Sequence, residues 1–318
     1  MLNGCKKLLK NNPLTKKLIL TLYVKKWDRV FKEKKCRGGK DREGSYYVIR
    51  RRAGNVGLFS LVVTALAHMK IAEEQGRIPV VDLQNYKNLY LPEDKIGTEN
   101  AWEYFFEQPC NTTLFDIKNK KDVLLSSGEI PQHRPSDTGA FFRNENGEFE
   151  AWRALFQKYI RPRTEIVQEA DAEYARKVAP NEKVVGVCCR GAKYRALRQK
   201  NHPIQPEVDE LIAKVKETMA EFGAGKVYLS TEDAAIVEQF RAEFQDALFV
   251  ADREYMDFVK QTNVKSGTVY NGVQYLKQII MLSKCDFLVS ARCSGALGAS
   301  LMSKGYAYTY YFDKGDYQ

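Results

Sequence analysis

Arg190 is the first residue that the chemistry of this sequence singles out. It comes directly after residues 184–189, a continuous apolar run that predicts a buried strand. A charge at that position is costly unless it faces a ligand or a carboxylate. An arginine fork suits a diphosphate and stabilises the negative charge that develops on a departing nucleoside diphosphate. The alternative is a structural salt bridge with an acidic side chain.

Four segments carry small residues or backbone N–H groups of the kind that cradle a phosphate. Each follows a predicted strand, and in open α/β sheets ligands bind beyond the carboxyl ends of the strands. None matches the P-loop or the G-x-G-x-x-G fingerprint, so neither an NTPase nor a dinucleotide site is supported. The candidate donor-binding residues in these segments are Gly54, Asn55 and Gly57; Arg190, Gly191 and Lys193; Ser230, Thr231 and Asp233; and Ser294 and Gly295.

His202 is the remaining donor-binding candidate, in a predicted loop that precedes a helix. An imidazole there can act as an acid or base, although an ordinary loop residue is the simpler interpretation. The three histidines show no metal-ligand spacing. No two aspartates form the Asp-x-Asp pair that often holds a divalent ion on a nucleotide diphosphate. We therefore expect metal-free chemistry and no cofactor.

Alternating strands and helices must position these residues. Residues 46–52, a glycine loop, a helical pattern over 58–71 and a strand over 78–83 predict a βαβ unit. From residue 184 to residue 312 strand and helix patterns alternate, which predicts a doubly wound parallel sheet. Between these regions, patterns at 101–106 and 151–160 predict aromatic-rich helices, and the polar stretch 132–148 predicts an exposed loop.

The chain is therefore predicted to be an α/β protein of two Rossmann-like domains. We place the N-terminal domain at residues 45–180 and the C-terminal domain at residues 181–318. Residues 1–44 form a basic amphipathic leader. No apolar run approaches the roughly 18 to 20 residues that would span a bilayer.

The positive charge is concentrated at the start of the chain. Residues 1–52 hold 17 Lys/Arg and 4 Asp/Glu, a net charge of +13, whereas the whole chain is +10. This charge is mixed with Leu, Ile, Tyr and Trp, which is typical of a segment that binds an anionic membrane surface. A solvated tail and nucleic-acid binding are the alternatives; we expect no nucleic-acid partner.

Seven cysteines are scattered through the chain without C-x-x-C spacing. Their number and spacing argue against a disulfide framework and against a zinc ribbon. Reduced, small core residues are the expected role, which favours the cytoplasm. Together with the basic leader, this predicts a peripheral protein on the inner face of the membrane.

Three blocks of sequence resemble the superfamily of α1,6-fucosyltransferases, bacterial nodulation fucosyltransferases and protein O-fucosyltransferases. They are residues 184–191 continuing to His202-Pro203-Ile204, residues 226–233, and residues 281–294. The resemblance implies a GT-B-like fold and metal-independent, inverting transfer of fucose from GDP-fucose. It further implies that residues 45–180 are the acceptor-side domain and residues 181–318 the nucleotide-sugar-binding domain. It also implies Arg190 on the diphosphate, Thr231 and Asp233 near the nucleotide, and Ser294 at the phosphates.

The sequence departs from this superfamily at four places. Cys188 stands where the superfamily commonly has a His that helps hold guanosine, and Ala192-Lys193 replaces Thr-Asp. Gln278 replaces an expected Asp, and Arg198 stands where the α1,6 enzymes have a proposed Glu base. We predict a glycosyltransferase of bacterial surface-polysaccharide type, acting on a glycan or lipid-linked glycan, with Arg190 as the catalytic residue. The alternative is a catalytically inactive nucleotide-sugar-binding subunit at the membrane surface.

Overall fold

A computed structural model describes residues 28–36, 39–52, 56–136, 138–256 and 269–318 of the chain. Its strands are β1 Lys34–Lys35, β2 Asp41–Arg50, β3 Ile78–Asp82, β4 Lys120–Leu125, β5 Val184–Cys188, β6 Lys226–Ser230, β7 Leu248–Val250, β8 Phe287–Ala291 and β9 Tyr308–Phe312. Its α-helices are α1 Leu58–Glu74, α2 Gly139–Phe142, α3 Glu148–Tyr159, α4 Thr164–Lys177, α5 Ala192–Leu197, α6 Val208–Phe222, α7 Ala234–Phe244, α8 Val269–Leu282 and α9 Ser294–Met302.

The first half of the chain forms a sheet with strand order β1-β4-β2-β3. Strand β2 is parallel to both β3 and β4, and β1 is antiparallel at the edge. This sheet starts inside the segment predicted as a leader, because β1 and the first residues of β2 precede residue 45. The buried Arg50 side chain donates hydrogen bonds to the carbonyl oxygens of Val30 and Lys32, which fixes this segment to the sheet.

The second half forms a fully parallel sheet with strand order β7-β6-β5-β8-β9. Helices α6 and α7 pack on one face of β5, around Val185 and Val187. Helices α8 and α9 belong to the cluster on the other face, with Val184 and Cys188. The strand order reverses between β5 and β8, and such a reversal opens a crevice at the carboxyl ends of the strands. Arg190 and Ser294 follow these two strands.

One hydrophobic cluster runs through both halves of the chain. It contains Phe59 and Leu66 of α1 together with Ala296 and Leu297 of α9. The two helices approach closely at Gly298, where a Cβ atom would collide with the ring of Phe59. The two sheets are thus joined by packed helices, while the division into domains at residue 180 stays a prediction.

Most predicted elements match the structure, with two exceptions. Residues 101–106 were expected to form an amphipathic helix, but the structure has a short 3-10 helix, Ala101–Tyr104. Trp102, Phe105 and Phe106 have the spacing of one helical face and are buried, which is why the sequence predicts a helix. The prediction was wrong because the helix ends after one turn, at Phe105 with φ of −120°. The loop predicted over 132–148 contains α2, whose N-cap Thr138 accepts a hydrogen bond on its hydroxyl oxygen from the backbone N–H of Phe141. No helix in the described ranges is both long enough and apolar enough to cross a bilayer.

Candidate functional site

A cavity of about 500 Å³ lies where the two halves of the chain meet. Arg51, Gly57 and Ser60 line it from the first half, since they follow β2 or open α1. Arg190, His202, Tyr275, Ser294 and Gly295 line it from the second half. The structure therefore brings together predicted residues that are far apart in sequence.

Arg190 is anchored at the wall of this cavity. Its Nη2 lies 3.7 Å from Glu232 Oε1, and its Cζ lies 5.0 Å from the centre of the Tyr194 ring. The nearby Glu232 carboxylate raises the pKa of Arg190 above its ordinary value, so the cation is held charged. Its Nε is buried and, within the described part of the chain, makes no hydrogen bond. A buried donor without an acceptor is costly, and an anionic ligand would satisfy it.

Arg51 is a second arginine in the cavity, and the sequence reasoning missed it. It follows β2 directly, just as Arg190 follows β5 after a single residue. Its Nε is also buried without a hydrogen-bond partner among the residues described. The signal was present, because a charge at the end of an apolar strand is the same argument that identified Arg190. Two arginines, one from each half of the chain, make the cavity suited to a diphosphate.

Two helix N-termini also open into the cavity. Gly57 is the N-cap of the 17-residue α1, and Ser294 is the first residue of the nine-residue α9. Both N-termini add positive electrostatic potential to that of the arginines. Gly295 is required for close packing, because a Cβ atom there would collide with the Tyr275 hydroxyl.

The predicted residues after β6 lie behind the cavity wall. Ser230, Thr231 and Asp233 are buried and are absent from the described lining of the cavity. Asp233 Oδ2 accepts a hydrogen bond of 2.8 Å from the backbone N–H of Ala192, and its Oδ1 accepts one of 3.0 Å from Ala235. The backbone N–H of Gly191, the N-cap of α5, is 3.2 Å from Glu232 Oε1. These residues fix the loop that carries Arg190, and a donor-binding role for them stays a prediction.

His202 lies on the cavity wall next to an aromatic side chain. Its Nδ1 is 3.4 Å from the Tyr194 hydroxyl. Among the described residues that line the cavity there is no Asp or Glu. His202 lines the cavity as predicted, and its role there stays a prediction.

Three of the candidate residues lie wholly or partly outside the described structure. Gly54 and Asn55 lie outside the described residues. Lys193 lies in α5, but its side chain is outside the described part of the structure. Across the described ranges, no group of three or more His, Cys, Asp or Glu residues is arranged to hold a metal ion.

The departures from the superfamily pattern have structural roles here. The side chain of Gln278 is buried, donating to the carbonyl oxygen of Thr231 at 3.0 Å and accepting from Arg253 at 3.1 Å. Arg198 is exposed and ends α5 in a left-handed conformation with φ of 39°. The thiol of Cys188 is buried and lies 3.7 Å from the thiol of Cys293.

A second pocket of about 370 Å³ adjoins the main cavity and shares Ser60, Ile130 and Ser294 with it. Its wall is mostly polar, with Thr64, Gln132, Arg134 and Ser136. Because the two pockets share wall residues, a group bound in one lies beside a group bound in the other.

Comparison with solved structures shows which fold this chain has. It is similar to NodZ alpha-1,6-fucosyltransferase in a crystal soaked with GDP-fucose, with 18% identity over 81% of this chain and 93% of that chain and a TM-score of 0.53. NodZ from Bradyrhizobium matches at 19% identity over 83% and 93%, with a TM-score of 0.51. POFUT1 in complex with GDP matches at 12% identity over 86% and 99%, with a TM-score of 0.54.

These likenesses confirm the predicted GT-B-like α/β fold, and they confirm the resemblance to fucosyltransferases at the level of the fold. No protein-family model matches the sequence, and no curated protein matches it.

Proposed function

We propose that this chain is a glycosyltransferase that moves fucose from GDP-fucose to a glycan or lipid-linked glycan. The observation that carries the proposal is Arg190, which follows β5 at the reversal of strand order and borders the main cavity with an unsatisfied, buried Nε. The likeness in fold to proteins solved with GDP or GDP-fucose supports the choice of donor.

In this proposal the donor diphosphate lies between Arg190 and Arg51, near the N-termini of α1 and α9. The bond between the anomeric carbon and the diphosphate breaks through an oxocarbenium-like state while the acceptor hydroxyl attacks from the opposite face, which inverts the anomeric configuration. Negative charge grows on the departing GDP, so the two cations stabilise the transition state more than the ground state. No metal takes part, and Arg190 is the catalytic residue.

The acceptor enters from the adjoining pocket, and His202 takes the proton of its hydroxyl group. The pocket's polar side chains suit a sugar, whose hydroxyl groups need hydrogen-bond partners when they leave water. The net charge of +13 over residues 1–52 supports binding to an anionic membrane surface on the cytoplasmic side, where lipid-linked acceptors for surface polysaccharides would be within reach.

A thermal-shift screen of GDP-, UDP- and dTDP-sugars tests the donor assignment. We expect GDP-fucose to raise the melting temperature of the wild-type protein much more than that of Arg190→Ala. Arg195→Ala is the matched control, because Arg195 lies on α5 beside the site but pairs with Glu207 and is not part of the described cavity wall. Equal stabilisation of wild type and Arg190→Ala by the best donor would refute the assignment.

Turnover separates this proposal from its alternative, an inactive nucleotide-sugar-binding subunit. Two departures from the superfamily pattern favour that alternative. Ala192-Lys193 replaces Thr-Asp, and Arg198 stands where the α1,6 enzymes have a proposed Glu base. We expect release of GDP when GDP-fucose is supplied with extracted lipid-linked glycan. Donor binding that persists without release of GDP or labelling of the glycan would favour the inactive subunit.

A further inference from the structure

Two buried thiols meet at the floor of the main cavity. Cys188 is the last residue of β5, and Cys293 is the N-cap of α9. Their sulfur atoms are 3.7 Å apart, and only Cys293 borders the cavity. Cys188 ends β5, and Cys293 follows the adjacent strand β8 by two residues, so packed secondary structure holds the pair together.

The two thiols are not equivalent. The hydrogen bond with Cys188 lowers the pKa of Cys293, and the Arg190 cation and the N–H groups of Ala296 and Gly295 act in the same direction, whereas burial opposes them. The same hydrogen bond raises the pKa of Cys188. A thiolate is the reactive form of cysteine, so the thiol that borders the cavity is also the one that ionises more readily.

We propose that Cys188 and Cys293 form a reversible disulfide when a small peroxide enters the cavity. The Cys293 thiolate attacks one peroxide oxygen, the O–O bond breaks, and a sulfenic acid and hydroxide form. The sulfur of Cys188 then attacks the sulfenic sulfur, loses its proton, and displaces the sulfenic oxygen as water. In total, two thiols and hydrogen peroxide give one disulfide and two waters, with sulfur oxidised and peroxide oxygen reduced.

The disulfide would alter the wall of the cavity. An S–S bond is about 2.05 Å long, so the sulfur atoms must move together from their present separation. The Cys293 sulfur now accepts a hydrogen bond of 3.4 Å from the N–H of Ala296, in the first turn of α9. Movement of this sulfur disturbs the turn that contains Ser294 and Gly295. Oxidation should therefore weaken donor binding, an effect that rests on the proposed function, whereas formation of the disulfide does not.

Peptide mapping of the full chain after treatment with hydrogen peroxide tests the chemistry. We expect a disulfide-linked pair of peptides containing Cys188 and Cys293, and its loss after dithiothreitol. Cys189 is the matched control, because it is buried next to Cys188 but packs with the cluster on the opposite face of the sheet. The link should persist in Cys189→Ser and disappear in Cys188→Ser.

Absence of the link in wild-type protein would overturn the proposal. A link between the same two peptides in Cys188→Ser would also overturn it, because Cys189 would then be the partner of Cys293. Circular dichroism of each variant before oxidation establishes that it is folded. A second measurement follows the stabilisation by GDP-fucose in reduced and oxidised wild-type protein, where we expect loss of stabilisation on oxidation and recovery on reduction. A confirmed link with unchanged stabilisation would reject the effect on the donor, and a reduced protein that GDP-fucose does not stabilise would reject the proposed function instead.

Discussion

Glu232 and Arg190 form a monodentate ion pair at the cavity wall, with 3.7 Å between Glu232 Oε1 and Arg190 Nη2. The same Glu232 oxygen accepts the backbone N–H of Gly191. The carboxylate therefore orients both the guanidinium and the loop that carries it. Because the contact is not bidentate, it leaves Nε of Arg190 unsatisfied. A structural salt bridge and a ligand-facing arginine were alternatives at the level of the sequence, and the structure accommodates both.

Replacing Arg190 tests whether its fork or only its charge matters. Lys keeps the charge but loses the planar fork, so we expect kcat for GDP-fucose turnover to fall about 100-fold in Arg190→Lys and further in Arg190→Ala. Steady-state kinetics with varied donor measures this. Arg195→Lys should behave like wild type. A rise in KM with unchanged kcat would contradict a role specific to the transition state.

Asp233 should be important for stability before it is important for binding. Each of its oxygens accepts a backbone N–H at the start of a helix, α5 in one case and α7 in the other. Loss of one such cap costs about 1 kcal/mol, so we expect Asp233→Ala to lower the free energy of unfolding by about 2 kcal/mol. Urea denaturation measures this loss.

Asp233→Asn is the informative comparison, because the amide keeps one acceptor oxygen. It should therefore lose only about 1 kcal/mol of the free energy of unfolding, half of the loss in Asp233→Ala. The superfamily resemblance instead implies that Asp233 acts near the nucleotide. If Asp233→Ala unfolds at the same urea concentration as wild type yet no longer responds to GDP-fucose, the capping role is wrong and the direct role is supported.

The fold could be predicted from the sequence because buried strands and amphipathic helices each have a local pattern of apolar residues. The apolar run 184–189 alone predicts a strand, and it matches β5 closely. Arg190 could be predicted for the same reason, since its neighbours define a strand end. Local patterns could not predict that Arg51 and Arg190 reach the same cavity, because that depends on the packing of α1 on α9.

Burial also could not be predicted from residue type. Asp233 and Thr231 are polar residues at a strand end, which is where ligand-binding residues are expected, yet both are enclosed and bond to the backbone. Short segments were the other failure, because α5 and the 3-10 helix Ala101–Tyr104 hold too few residues for a periodic pattern.

His68 should make the protein less stable in mild acid. It is buried in α1, with Nδ1 3.2 Å from the Tyr47 hydroxyl and Nε2 3.0 Å from the carbonyl oxygen of Glu129. A carbonyl only accepts, so Nε2 carries a proton, and in the neutral ring Nδ1 accepts from the Tyr47 hydroxyl. Burial lowers the pKa of His68 to about 4. The unfolded chain binds a proton near pH 6.5 and the folded chain does not, so stability falls as the pH drops from about 6.5 to about 4.

Over that range the free energy of unfolding should decrease by about 3 kcal/mol through this group. Urea denaturation at pH 7 and at pH 4.5 measures the change, since both values bracket most of the effect. His68→Gln should show a smaller pH dependence than wild type. His133, which is exposed, supplies the matched control, and His133→Gln should keep the wild-type dependence. Equal pH dependence in wild type and His68→Gln would contradict the assignment.

Gly298 tests whether contact between α1 and α9 holds the two sheets in place. Alanine favours a helix over glycine by about 1 kcal/mol, so Gly298→Ala would stabilise an unobstructed helix. Here the added Cβ atom meets the Phe59 ring, and overpacking of this kind costs about 1 to 3 kcal/mol. We therefore expect a net loss in the free energy of unfolding, measured by urea denaturation.

Phe59→Leu in the same protein supplies the decisive comparison, because it removes the ring atoms that the new methyl group meets. Alone, this change loses the edge-to-face contact with Tyr275, whose ring centre is 5.6 Å away, and should also destabilise. In the double variant the methyl group fills the space left by the ring. The double variant should therefore lose less free energy of unfolding than the two single variants lose together. Additive losses, or a Gly298→Ala protein more stable than wild type, would mean that the helices do not meet at this point and that the cavity between the two halves is not fixed by it.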